Sequence, residues 1–86
     1  MQDGGALSDQ VREIISTALA LDESEVTNSI NQNNCARWTS LSHMLLMVAI
    51  EEHFGVELAM HEMLAMVSLE RIVDVLRSHN VDAVIA

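Results

Sequence analysis

The chain has 86 residues, half of them hydrophobic, and 13 acidic against 4 basic side chains give a formal net charge of −9. A chain of this size and hydrophobicity can bury the core of one domain, which excludes a disordered acidic tail. A protein this acidic, which has no cluster of basic residues, should repel the phosphate backbones of nucleic acids. We therefore expect no nucleic-acid partner, and its charged partners should be basic proteins.

The number of cysteines and the length of the apolar stretches indicate the cellular compartment of the protein. The single cysteine, Cys35, cannot form an internal disulfide, which favours a reducing environment. The sequence MQDGGALSDQ lacks the basic segment and apolar run of a secretory signal. The longest apolar stretch, residues 44–50, is far too short to span a bilayer. The sequence therefore predicts a cytoplasmic protein without membrane contact.

The first helix is predicted over residues 8–20, after a flexible N-terminus at residues 1–7. Ser8 fits the N-cap position, and Asp9 in the first turn favours the helix dipole. Apolar residues then recur with helical spacing on one face: Val11, Ile14, Ile15, Ala18 and Leu19.

A long loop, residues 21–39, is predicted after the first helix, because the apolar periodicity stops and Asn, Ser and Thr become frequent. Residues 23–26 are expected to form one short turn of helix. Val26, Ile30 and Trp38 are the apolar side chains that should anchor this loop to the core.

Three more helices are predicted after the loop. Ser40 opens the second helix, which covers residues 40–54 and is followed by Gly55, a residue favoured just beyond helix ends. A short third helix is predicted within residues 60–66. Ser68 should cap the fourth, whose apolar stripe is Leu69, Ile72, Val73 and Leu76. The predicted fold is all-α, a small four-helix bundle with three longer helices and one short helix, in a domain spanning residues 8–79. Residues 80–86 form a C-terminal tail whose structure the sequence does not predict.

The second helix is apolar on two sides. At about 100° per residue, one side is an ordinary core stripe: Met44, Leu46, Met47, Ile50 and Phe54. The other side carries Leu41, Leu45, Val48 and Ala49. So small a bundle lacks the material to enclose a helix completely, so we expect the second side to be an exposed docking surface. The alternative is that the long loop folds over it.

Ser40 stands where this second side begins. A phosphate on its hydroxyl would meet free backbone N–H groups and the positive end of the helix dipole. Because serine is also the commonest kind of N-cap, its position alone favours a purely structural role.

Two motifs change that balance: the run WTSLSH at residues 38–43, and EEHFGVEL at residues 51–58. Together they resemble the acyl carrier protein family, which has a Ser-Leu pair at the start of its second helix and a Glu-Glu-x-Phe-Gly-(Ile/Val) signature at its end. The spacing from Ser40 to Phe54 matches the family without a gap. Residues 25–28 (EVTN) are also similar to the first loop of bacterial carriers, and the resemblance covers roughly residues 8–79.

The resemblance implies a carrier rather than an enzyme. Ser40 matches the serine that a phosphopantetheinyl transferase converts to a 4′-phosphopantetheine phosphodiester, whose thiol holds an acyl or aminoacyl group as a thioester. The implied partners are that transferase, an acyl- or amino acid-activating ligase, and a downstream transferase or synthase, which a monomeric carrier would contact transiently. The expected docking residues are Trp38, Thr39, Leu41, Leu45, Val48 and Glu52.

Several positions depart from the pattern of fatty-acid carriers. Thr39 replaces the usual Asp before the serine, Ser42 and Leu45 replace acidic residues, and Ala59 replaces a Pro. Together with Trp38, these changes look more like stand-alone carriers of specialised metabolism, including polyketide, nonribosomal-peptide and aminoacyl carriers. The alternative function is a non-catalytic helical interaction module that uses the apolar side of the second helix.

Other groupings of reactive side chains predict no separate chemistry. Ser40 and His43 are three residues apart, but a serine hydrolase needs an oxyanion hole and a third group, and no G-x-S-x-G elbow is present. His43 is instead expected to pack over the loop and bind a backbone group, or to contact the arm. His53, Glu57 and His61 have only loosely metal-like spacing, so no metal site is predicted.

Overall fold

Four α-helices make up most of residues 3–81, the part of the chain described by the computed structural model. They are α1 (Asp3–Leu19), α2 (Ser40–Phe54), α3 (Met60–Ala65) and α4 (Leu69–Ser78), with a short 3₁₀ helix at Glu23–Glu25. The described residues form no strand, only one isolated β-bridge between Asn31 and Ser68. The predicted all-α bundle of three longer helices and one short helix is confirmed. None of these helices is long and apolar enough to cross a membrane.

The core lies between α1, α2 and α4. Each helix contributes one apolar face that water does not reach, which is the main favourable term in folding. The buried residues of these helices are Leu7, Val11, Ile15, Leu19, Leu46, Met47, Ile50, Leu69, Ile72, Val73 and Leu76. The predicted stripe of the fourth helix is thus confirmed in full.

The first helix begins earlier than predicted. It starts at Asp3 rather than Ser8, so Ser8 lies within the helix and is not its N-cap. Leu7 is buried because it lies one turn before Val11 and extends the same apolar face. Residues 3–7, which were predicted to belong to a flexible N-terminus, are therefore part of α1, while Met1 and Gln2 lie outside the described residues.

The long loop is held down by the three predicted anchors, since Val26, Ile30 and Trp38 are all buried. It is also tied by backbone hydrogen bonds to the segment between α3 and α4 and to the first residue of α4. The Gln32 N–H donates to the Val67 carbonyl at 2.8 Å, and the Leu69 N–H donates to the Ile30 carbonyl at 3.1 Å. The loop therefore packs beside α4 and leaves the second side of α2 uncovered.

Helix ends follow local capping signals. The Ser68 hydroxyl accepts a hydrogen bond from the Arg71 N–H at 3.0 Å, as its N-cap position predicts. Gly55 ends α2 with φ of +65°, a left-handed conformation that glycine adopts without strain. Of the tail at residues 80–86, only Asn80 and Val81 are described, and Val81 packs against the core. The rest of that segment lies outside the described residues.

Candidate functional site

The first turn of α2 is fixed by a reciprocal pair of hydrogen bonds. The Ser42 N–H donates to Thr39 Oγ1 at 3.2 Å, and the Thr39 N–H donates to Ser42 Oγ at 2.8 Å. The Ser42 hydroxyl in turn donates to the Arg37 carbonyl at 2.7 Å. Thr39 is therefore the N-cap and Ser40 the first helical residue, so the interpretation of Ser40 as a purely structural cap was wrong.

Ser40 is left free by this arrangement. Its side chain is exposed, and its hydroxyl makes no hydrogen bond with any part of the chain that the structure describes. The backbone N–H groups of Ser40 and Leu41 likewise have no acceptor within residues 3–81. No acidic side chain lies in the first turn of α2. An unbound hydroxyl, two free donors and the positive end of the dipole suit a phosphate ester at this position.

A hydrogen-bonded chain of side chains lies behind Ser40. The Trp38 Nε1–H donates to His43 Nδ1 at 3.0 Å, and His43 Nε2 lies 2.9 Å from the Met63 carbonyl. Because Nδ1 accepts, Nε2 must carry the proton and donate to Met63. His43 thereby joins the end of the loop, α2 and α3. The expectation that His43 packs over the loop and binds a backbone group is confirmed.

Trp38 is only 3% exposed. The prediction that it forms part of a docking surface was wrong, because its side chain cannot reach a partner. Its ring lies beside that of His43, with centroids 6.2 Å apart and planes at 27°. Trp38 instead holds His43 in place behind the start of α2 through the indole N–H. The Thr39 side chain caps the same helix.

The hydrolase and metal hypotheses gain no support. Both ring nitrogens of His43 are used by Trp38 and Met63, so no nitrogen is left to accept a proton from Ser40. Among the described residues, no three His, Cys, Asp or Glu side chains come together in a way that could hold a metal ion. Cys35 is half-buried and unpaired in the loop.

The second side of α2 forms an exposed apolar strip, here called the outer stripe. Its four members and their exposed fractions are Leu41 71%, Met44 58%, Leu45 54% and Val48 49%. Met44 was predicted to lie in the core, which was wrong. It lies about 60° beyond Met47 around the helix, past the edge that the neighbouring helices cover. Sequence reasoning thus missed one member of the stripe, while Glu52 is exposed at its far end as expected.

The chain matches a model of a known protein family. A family model described as a phosphopantetheine attachment site matches residues 9–76. This range includes most of α1, all of α2 and α3, and most of α4, so it contains Ser40, its cap and the outer stripe. A search of curated proteins found no significant match.

Proposed function

Since this chain belongs to the phosphopantetheine attachment-site family, whose members carry 4′-phosphopantetheine covalently on a serine, we propose that it is a carrier protein whose arm is attached to Ser40. Carrier domains of this family are generally non-catalytic and interact with phosphopantetheinyl transferases and partner enzymes. When bound, the arm supplies a thiol that holds cargo as a thioester. The protein itself then orients the arm and presents a surface to the enzymes that load and unload it.

The observation that supports Ser40 as the attachment point is which serine hydroxyls are already hydrogen-bonded and which are free and exposed. All eight serines lie within residues 3–81, and six are bound to neighbouring groups: Ser16, Ser24, Ser29, Ser42, Ser68 and Ser78. Ser8 is half-buried in the middle of α1. Ser40 combines exposure, an unbound hydroxyl and a helix start with free N–H donors. Those donors would stabilise the negative charge of a phosphodiester at Ser40.

The surface beside Ser40 supports an inference about the kind of partner enzyme. Leu45 is an exposed apolar residue on the face where fatty-acid carriers present acidic ones, and Ser42 is occupied by capping. Partners of this chain therefore meet an apolar strip with Glu52 at its rim. We infer a carrier of specialised metabolism, acting in the cytoplasm as a monomer. An acyl- or amino acid-activating ligase would load it, and a downstream transferase or synthase would receive the group.

An interaction module that uses the outer stripe for a stable partner is the second candidate, since that stripe is exposed whether or not an arm is attached. Intact mass measurement after co-expression with a broad-specificity phosphopantetheinyl transferase separates the two. We expect one phosphopantetheine per chain in the wild type, none in Ser40→Ala, and full addition in the control Ser29→Ala, which alters an exposed serine outside α2. No addition to the wild type with several transferases would favour the module, and addition to Ser40→Ala would place the arm elsewhere.

A further inference from the structure

A groove of about 610 Å³ runs along the surface between α1 and α2. Its floor is aliphatic and its rim is acidic: Ile14, Ala18, Leu45 and Ala49 below, Glu13 and Glu52 above. Ala18 and Ala49 are the shortest of the floor side chains, and their small size leaves the space that longer side chains would fill. Thr17 and His53 complete the lining.

The charge at the rim has no counterpart within residues 3–81. Glu13 and Glu52 are exposed, and neither makes an ion pair or a hydrogen bond with a described residue. No arginine lines the groove, and the nearest in sequence, Arg12, is bound to Asp9 and Asn28. An occupant carrying positive charge would therefore gain both carboxylates as partners.

Ser40 and the floor of the groove at Ala49 lie on opposite sides of α2, whereas Leu45 and Glu52 border both the groove and the outer stripe. Ala49 follows Ser40 by nine residues, which at about 100° per residue places it about 180° around the helix. An arm on Ser40 therefore does not need to cross the groove, and an occupant of the groove does not need to displace the arm.

We propose that this groove binds an amphipathic helix of a basic partner protein. The partner's aliphatic side chains enter between Ala18 and Ala49, and its Lys or Arg side chains pair with Glu13 and Glu52. The α2 lining from Leu45 to His53 is about 12 Å long, which matches about two turns of a partner helix. A second copy of this chain is a poor occupant because it carries the same net charge of −9. The inference does not depend on the arm at Ser40.

The test is a titration of the ¹⁵N-labelled protein without its arm, followed by NMR. The probe is a synthetic amphipathic helical peptide of Leu, Ala and Lys, and its control is a scrambled peptide of the same composition. We expect amide shifts around Ile14, Ala18 and Ala49 with the amphipathic peptide alone. Ala49→Leu, which fills the groove without changing charge, should weaken binding by about tenfold or more.

Charge is tested by a matched pair of double variants. Glu13→Lys with Glu52→Lys should also weaken binding about tenfold, whereas Glu57→Lys with Asp74→Lys, the same charge change at exposed positions outside the groove, should change it little. Equal losses in both pairs, equal binding of the scrambled peptide, or a concentration-dependent dimer abolished by Ala49→Leu would each overturn the proposal. Ala49→Leu changes no residue of the outer stripe and should still accept phosphopantetheine, so failure here is distinguishable from failure of the carrier assignment.

Discussion

Two adjacent hydroxyl groups at the start of α2 have separate tasks. Thr39 caps the helix through Ser42, while Ser40 makes no hydrogen bond within residues 3–81. The residue that we propose as the attachment point of the arm is in this way freed from holding the helix together. Modification of Ser40 therefore does not compete with the stability of the helix start.

This division of tasks predicts that two single substitutions lower the free energy of unfolding by different amounts. Thr39→Ala removes the cap and should lower the free energy of unfolding by about 1 kcal/mol. Ser40→Ala removes an exposed, unbound hydroxyl and should change it by less than about 0.5 kcal/mol. Urea denaturation followed by circular dichroism measures both. A larger loss in Ser40→Ala than in Thr39→Ala would contradict the assignment of the cap.

Trp38 and His43 form the other residue-scale feature of the site. The indole N–H is buried, and its acceptor among residues 3–81 is the His43 ring. Burial of a polar group without a partner is costly, so the two residues depend on each other. The same imidazole is hydrogen-bonded to the Met63 carbonyl, which lies 20 residues further along the chain. The Trp38–His43 pair therefore also fixes this contact between α2 and α3.

Trp38 is the single tryptophan, so its fluorescence reports on the site directly. Burial predicts an emission maximum clearly shorter in wavelength than that of free indole, moving to the free value on unfolding. Trp38→Ala should lower the free energy of unfolding by about 3–5 kcal/mol, because a large buried ring is lost. Native emission at the wavelength of free indole would show instead that Trp38 faces solvent.

At the scale of elements, α2 is the helix whose two sides serve different purposes. Leu46, Met47 and Ile50 bury one side in the core, and the outer stripe of Leu41, Met44, Leu45 and Val48 covers much of the other. A large exposed apolar strip is unfavourable for solubility unless it is used for contact. The outer stripe is therefore the surface on which we expect partner enzymes to dock.

Substitutions on the two sides should separate stability from group transfer. Leu45→Glu and Met44→Glu alter exposed residues, so the melting temperature should barely change, while transfer to a partner enzyme should fall about tenfold, the scale of one lost anchor. Leu46→Glu, the control one residue further along, buries a charge and should unfold the domain. Stable folding of Leu46→Glu with unfolding of Leu45→Glu would show that the two sides are reversed.

Features encoded by neighbouring residues were predictable from the sequence. Ser68 as a cap, Gly55 as a helix end and the spacing of Leu69, Ile72 and Leu76 depend on groups within a turn or two. Met44 was misplaced because the edge of a buried face depends on how far a neighbouring helix extends over it. The bond from His43 to Met63 could not be foreseen for the same reason, since it depends on how α3 packs.

For the whole molecule, the short helix α3 depends on attachments from outside it. None of its six residues is buried. It is held by His43 of α2, which binds the Met63 carbonyl, and by His79 at the end of α4, whose Nε2 lies 2.8 Å from Glu62 Oε2. Isolated helices this short are unstable in water. The position of α3 therefore depends on two histidines and one carboxylate together with half-buried Met63, which packs against the core.

The Glu62 contact makes this packing sensitive to acid. The pKa of Glu62 is lowered from its ordinary value of 4.5, first by the Ala59 N–H bonded to its carboxylate and then by the His79 hydrogen bond. A carboxylate whose pKa is lower in the folded than in the unfolded state stabilises the fold above pH 4.5. That stabilisation is lost as the pH falls through the lowered folded value, because the unfolded chain takes up the proton first. The amide-exchange protection factors of α3, which correct for the intrinsic dependence of exchange on pH, should therefore fall on acidification before those of α1 or α2 do.

Glu62→Gln tests this origin, because the amide oxygen can still accept from the Ala59 N–H but carries no charge and cannot titrate. We expect the variant to be less stable than the wild type at pH 7 and the difference to shrink as the pH falls below 4.5. Glu57→Gln, at an exposed carboxylate without a hydrogen bond to a described residue, is the matched control and should follow the wild-type curve. If Glu62→Gln retained the full acid dependence of the wild type while Glu57→Gln lost it, a carboxylate other than Glu62 would govern the stability of α3.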